Sequence, residues 1–380
     1  MYRSVAIITH EFAPFAGGIA TYVKEVATVL VERGVPVEII APYYEGGEEN
    51  SQVFPVVRAL THHRLSPSAV VKALRAILCH PKDCFLHAAD IRAALLLLLV
   101  RLLSGRRYGV MIHGSEVSKL TGRGIGSLVA RIAYQKADVI FANSQSTLSI
   151  FEQNVGKQVP GRVSYLGIEA RWFDRHLDAF ERSDLEQLAA SFPYFCTVAR
   201  IERRKGQDQV IRAMAAWSCE ERARVAYVVA GPVIDEAYRA ELAMLAEELG
   251  VKTIFTGLLS ENDLKTLYRK SVCHVLPALP LEGKMEGFGF VSLEAGAQDA
   301  PSVANRTGGI PEVVLDQISG ILVDVGDIVG LSIALKDMLT DRVRRNELGK
   351  AAGLQAVRFT WKACVEKTYK DIVSLGELSH

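Results

Sequence analysis

Apolar positions along the chain fall into two alternating kinds of run. Residues 5–9 are a short β-branched stretch, apolar almost throughout, as a strand covered on both faces must be. A glycine-containing loop follows. From 19 to 33, Val23, Val26, Ala27 and Leu30 recur at the spacing of one helix face. Gly34 is placed to stop that helix, and 37–40 reads as the next buried strand. Strand, loop, helix and strand make a βαβ unit. The pattern repeats with strands at 110–112 and 138–142 around a helix at 128–136. Between 168 and 193 it weakens and charges crowd in, so the interdomain connection is placed there. A second series predicts strands at 195–199, 227–230, 251–256 and 273–276 and helices at 237–249, 261–270 and 291–297. Two last amphipathic helices are predicted at 331–348 and 360–375. Two such series predict an α/β protein of two facing Rossmann-like domains, 1–170 and 171–359. Ligands in such sheets bind at the carboxyl ends of the strands, which places the site in the cleft between the domains.

Composition agrees with this picture. With 49% hydrophobic and 23% charged residues, 380 residues suffice for two globular cores. A net charge of +1 gives no reason to expect a nucleic-acid partner. The charge is unevenly spread, however. Residues 58–136 hold thirteen Lys and Arg against three acids. This region fits either a surface for anionic lipid or an acidic acceptor, or a solvated face with no partner. The longest apolar run, 93–103, is too short to span a bilayer, which takes ~20 residues, so it is expected to be a core helix. The first residues do not read as a signal peptide. The expected location is the cytoplasm, with any membrane contact peripheral and at the inner face. Six scattered cysteines suit reduced thiols. The group Cys79, His80, Cys84 and His87 lacks the spacing of a metal framework, so buried thiols and surface histidines are expected there.

Five local patterns could carry chemistry. Gly17-Gly18 lies between the first strand and first helix, where backbone N–H groups can approach an anion, or where a plain turn suffices. It is not the dinucleotide G-x-G-x-x-G, so a nicotinamide site is not supported. Arg200 and Lys205 follow the first strand of the second series; a guanidinium fork and an ammonium suit a diphosphate, and a charged surface loop is the other reading. From Glu286 to Glu294 a carboxylate precedes Phe288, Gly289 and Phe290, which open a helix that carries the second carboxylate. The N–H groups at that helix start can point at a ligand, and carboxylates accept hydrogen bonds from sugar hydroxyls. Thr307-Gly308-Gly309-Ile310-Pro311-Glu312 is another glycine-rich turn into a helix, fit for sugar or phosphate or simply for a turn. His113 stands at a strand end. No Asp-x-Asp occurs, so no metal is expected, and cations with helix N-termini are expected to neutralise a leaving group instead.

In this order the patterns resemble the family 4 retaining glycosyltransferases, which have the GT-B fold. The resemblance runs over nearly the whole chain. It rests most on Glu286-x7-Glu294 with Gly-Phe-Gly inside it and Gly-Gly-Ile-Pro-Glu downstream. It implies a hexose-type transfer from a UDP- or GDP-linked sugar to an acceptor hydroxyl, in glycan, glycolipid or polysaccharide synthesis, with the anomeric configuration kept. No cofactor and no metal are implied, and the acceptor would be carbohydrate or lipid-linked. Arg200 and Lys205 would bind the diphosphate, and Glu286 with Phe288 and Gly289 the sugar. Glu294 would hold the ribose, and Gly17 and Gly18 would close over the phosphates. His113 would meet the transferred sugar, and residues 360–380 would cross back to the first domain. Ala199, Ala278 and residues 298–301 depart from the family's usual small residues without removing a donor-binding side chain. A nucleotide-sugar 2-epimerase, or a non-catalytic subunit that binds nucleotide sugar, are the alternatives on the same fold.

Overall fold

A computed structural model describes residues 1–14, 17–43, 53–61, 67–118, 124–175, 179–281 and 285–376. The chain divides into two compact units, Met1–Gly167 with Thr360–His380, and Ile168–Phe359.

The first unit is built on seven parallel strands: β1 (Ser4–Ile8), β2 (Val37–Pro42), β3 (Val56–Leu60), β4 (Cys84–Ala88), β5 (Tyr108–Ile112), β6 (Val139–Ala142) and β7 (Gly161–Val163). Their order is β3-β2-β1-β4-β5-β6-β7, so the sheet reverses direction of growth between β1 and β4. That reversal opens a crevice at the strand ends, because the connections leave on opposite faces there. Among the described residues the helices that connect the strands are α1 (Gly18–Glu32), α2 (Pro67–Cys79), α3 (Ile91–Ser104), α4 (Ser115–Ser118), α5 (Ile125–Gln135) and α6 (Gln145–Asn154). Helix α1 buries Val23, Val26, Ala27 and Leu30, the stripe legible in the sequence, and Tyr22 beside them. Helix α3 starts where the Asp90 carboxylate accepts from Ala93 N–H and ends at left-handed Gly105.

The second unit repeats the design with six parallel strands, β8 (Tyr194–Val198), β9 (Ala226–Ala230), β10 (Thr253–Gly257), β11 (Cys273–Leu276), β12 (Ser302–Asn305) and β13 (Gly320–Val323). Their order is β10-β9-β8-β11-β12-β13, with the reversal between β8 and β11. Its first helices are α7 (Ser183–Ser191), α8 (Gln207–Ala215), α9 (Cys219–Ala223), α10 (Glu236–Glu248) and α11 (Glu261–Lys270). Then come α12 (Phe290–Ala297), α13 (Ile310–Val313), α14 (Ile328–Thr340) and α15 (Arg342–Ala356). The single helix expected at 331–348 is therefore two. Asp341 leaves helical geometry (φ −96°, ψ 86°), and its carboxylate caps the second helix through Arg344 N–H.

The last helix, α16 (Trp361–Tyr369), belongs to the first unit and is shorter than the expected 360–375. Ser164 Oγ donates to the Cys364 carbonyl (3.1 Å), and Tyr369 and Tyr22 hydroxyls meet opposite nitrogens of His87, each at 3.1 Å. His87 is thus fully buried rather than on the surface, and desolvation lowers its pKa to about 3, which keeps it neutral. Its neighbours in sequence go separate ways. Cys84 is buried but Cys79 is exposed, and His80 pairs with Glu38 at 3.0 Å.

Candidate active site

In the second unit, functional side chains gather at the reversal between β8 and β11. After β8 the chain enters a tight turn at Arg203–Lys205 that closes on left-handed Gly206. A Cβ at Gly206 would lie 2.1 Å from the Pro277 carbonyl, so only glycine lets this turn pack on the end of β11. Leu279 N–H donates to the Arg204 carbonyl at 2.8 Å and ties the two strand ends together.

The turn aims Lys205 inward. Its Nζ lies 2.6 Å from Glu286 Oε2, and Arg204 donates to the same oxygen at 3.2 Å. Burial pushes the Glu286 carboxyl up, but the Lys205 and Arg204 cations overcome this and hold it at about 2. Arg204 also reaches Glu202 (3.1 Å), and Glu202 in turn pairs with the more exposed Arg200 (3.1 Å). Arg200, Lys205 and Glu286 therefore form one ionic network. Arg204, which was not among the candidate residues, is at its centre.

The glycines after β12 serve this network by packing. Gly309 N–H donates to the Glu286 carbonyl at 3.0 Å. A Cβ at Gly308 would stand 1.9 Å from that same oxygen, and one at Gly309 2.3 Å from the Gly287 carbonyl. The Gly-Gly-Ile-Pro-Glu turn is thus the bed on which the Glu286 loop lies. Phe288 is buried edge-on against Phe359 (5.7 Å), and left-handed Gly289 precedes Phe290 at the start of α12. Further along α12, half-buried Glu294 accepts from the Tyr268 hydroxyl at 3.1 Å. Burial raises its pKa to about 8; the Tyr268 hydrogen bond opposes this, and the charges of Glu169 and Glu261 add to it.

Gly17, Gly18 and His113 lie in the first unit. Gly17 caps α1 in extended geometry, and a Cβ at Gly18 would meet nothing within 4 Å among the described residues. Residues 15 and 16 of this loop, and 282–284 of the loop at 278–285, lie outside the described residues. His113 follows β5. Its Nε2 is 3.1 Å from the Ala89 carbonyl, so Nε2 carries the proton, while its backbone N–H donates to Glu116. It lines a cavity of about 350 Å³ with His10, Glu11, Asp90, Ile91, Arg92 and Glu116 at the ends of β1, β4 and β5. Asp90 binds His10 twice, through the backbone N–H (2.6 Å) and Nδ1 (3.3 Å), and the His10 Nε2 is buried with no partner among the described residues. His10 and Asp90 were missed in the sequence. An Asp directly before an apolar helical run is an N-cap signal that could have found Asp90.

Residues 16–171 match the family described as Glycosyltransferase Family 4, and residues 181–355 that described as Glycosyl transferases group 1. The chain is 31% identical to a GDP-mannose-dependent alpha-(1-6)-phosphatidylinositol monomannoside mannosyltransferase of Mycolicibacterium smegmatis, over 91% of each chain. It belongs to the group 1, family 4 glycosyltransferases. The glycosyltransferase is also 28% identical to the protein of the same name from Mycobacterium tuberculosis, over 94% of each chain. Among solved structures it resembles Anabaena HepE in complex with UDP (TM-score 0.79, 19% identity, 97% and 98% of the two chains covered). It also resembles sucrose-phosphate synthase of Thermosynechococcus elongatus (TM-score 0.77, 20% identity, 97% and 98% covered). At these identities the likeness is one of fold, and the fold is GT-B.

Proposed function

We propose that this glycosyltransferase moves a hexose-type sugar from a nucleoside-diphosphate sugar to an acceptor hydroxyl, with the anomeric configuration retained and without a metal. GDP-mannose, named for relatives at 31% and 28% identity, is the donor to test first, and UDP-linked sugars are second. The same relatives make a lipid-linked glycan the first acceptor to test.

The observation that carries this reading is the Arg200–Glu202–Arg204–Glu286–Lys205 network at the reversal of the second sheet. Lys205 and Arg200 supply positive charge for the diphosphate as it leaves, and the N–H groups opening α12 at Phe288, Gly289 and Phe290 add donors. The Glu286 carboxylate, held ionised, accepts hydrogen bonds from sugar hydroxyls and favours positive charge at the anomeric carbon. Glu294 holds the ribose. The bond from the anomeric carbon to the diphosphate breaks while the bond to the acceptor oxygen forms on the same face. The acceptor's proton passes to the departing diphosphate oxygen, so no protein base is required.

Titration of GDP and UDP without added metal, followed by turnover of the matching sugar in the presence of a chelator, tests this. Binding of one nucleotide, chelator-resistant transfer and a retained anomeric configuration by NMR are expected. Donor hydrolysis or epimerisation with no transfer to any acceptor, or inversion at the anomeric carbon, would overturn it.

A further inference from the structure

Three helices of the first unit, α2, α3 and α5, pack in series, α2 on α3 and α3 on α5. None of the three carries an Asp or Glu. Helix α5 presents apolar side chains to solvent. Ile125, Leu128, Val129 and Ile132, at the spacing of one helix face, are exposed (82%, 59%, 39% and 37%), while the core side is made by Ala130, Ala133 and Tyr134. The neighbouring end of α3 does the same with Leu102 and Leu103, 71% and 69% exposed. Lys72 and Arg75 on α2 and Lys136 after α5 are exposed.

Exposed apolar side chains on packed helices that carry cations and no acid of their own call for a partner of matching chemistry. A second copy of the chain meeting this face by two-fold symmetry would set cations against cations. An anionic bilayer satisfies both features, since apolar side chains enter the acyl boundary while Lys and Arg meet headgroup phosphates. We propose that the α2–α3–α5 face docks the protein on an anionic lipid surface, with Leu102, Leu103, Ile125 and Leu128 inserted. Such docking would bring a lipid-linked acceptor within reach, and in that respect it rests on the function proposed above. The two can fail separately, because vesicle binding needs no turnover and nucleotide binding is read without lipid.

The test is flotation of the full chain with phosphatidylcholine vesicles with and without phosphatidylglycerol, at low and high salt. Wild type is expected to float only with phosphatidylglycerol, less at high salt. Leu102→Glu combined with Leu128→Glu is expected to lose about tenfold or more in vesicle affinity. Both sites are exposed, so melting and nucleotide titration should stay as in wild type. Lys72→Glu with Arg75→Glu should remove part of the binding and most of its salt dependence. Absence of wild-type flotation, flotation of the leucine variant equal to wild type, or a wild-type dimer in solution that Leu128→Glu dissolves, would each overturn the proposal.

Discussion

Lys205→Ala and Glu286→Gln should move nucleotide affinity in opposite directions. The Lys205 ammonium is committed to Glu286 at 2.6 Å, with Arg204 on the same oxygen at 3.2 Å. A nucleoside diphosphate must draw Lys205 toward its own oxygens and sit beside the carboxylate. Deleting Lys205 removes a charge-assisted hydrogen bond worth about 1.5–3 kcal/mol, or roughly 10- to 150-fold in Kd. Glu286→Gln keeps the shape of the side chain but removes both the competitor for Lys205 and a negative charge near the phosphates. It should tighten binding of the free nucleotide by about 1 kcal/mol, roughly fivefold, while transfer from the full nucleotide sugar collapses because the negative charge that favours positive charge at the anomeric carbon is gone and one of two acceptor oxygens has become a donor. Calorimetric titration of GDP and UDP against wild type and both variants measures the first effect, and turnover measures the second. If Glu286→Gln weakened nucleotide binding as much as Lys205→Ala does, the carboxylate would be a nucleotide ligand and the competition described would be wrong.

Two further outcomes follow from the same site. Glu294 has its pKa raised to about 8 by burial, so the folded state binds more protons than the unfolded one between the ordinary carboxyl range and about pH 8. Stability should therefore fall as pH rises through that window and level off above it, and thermal melts of Glu294→Gln across pH should lack this fall. Gly308→Ala would place a Cβ 1.9 Å from the Glu286 carbonyl and must displace that loop. It should cost about 1–3 kcal/mol of stability and a larger share of transfer activity, read by melting and by turnover, and a variant melting and working as wild type would contradict the packing described.

Much of the architecture was legible because buried parallel strands and one-sided helices write distinct periods. The strand at 273–276 and the helix at 261–270 emerge with the expected bounds. What the sequence could not convey are choices made in three dimensions. Arg203, Arg204 and Lys205 are consecutive cations, yet Arg203 turns outward to Glu241 while its two neighbours turn in to Glu286. The apolar run at 93–103 says helix, but not that Leu102 and Leu103 miss the core. His10 and Asp90 are distant in sequence and meet because β1 and β4 are neighbours. Gly308 and Gly309 read as a ligand cradle or a turn, and only the nearby carbonyls of Glu286 and Gly287 reveal why no side chain fits.

The placement of α16 also sets an order of assembly during synthesis. Tyr369 supplies one of the two hydroxyls that hold His87 at the heart of the first unit, so that unit cannot close until α16, after the entire second unit, has left the ribosome. The second unit suffers no such delay. Its terminal residues Ile168 and Phe359 are joined by a backbone hydrogen bond of 2.9 Å, which makes it a segment complete between adjacent ends. The protein that begins to emerge first is thus the last to be finished. Loss of the final helix would injure the amino-terminal half while sparing the unit encoded just before it.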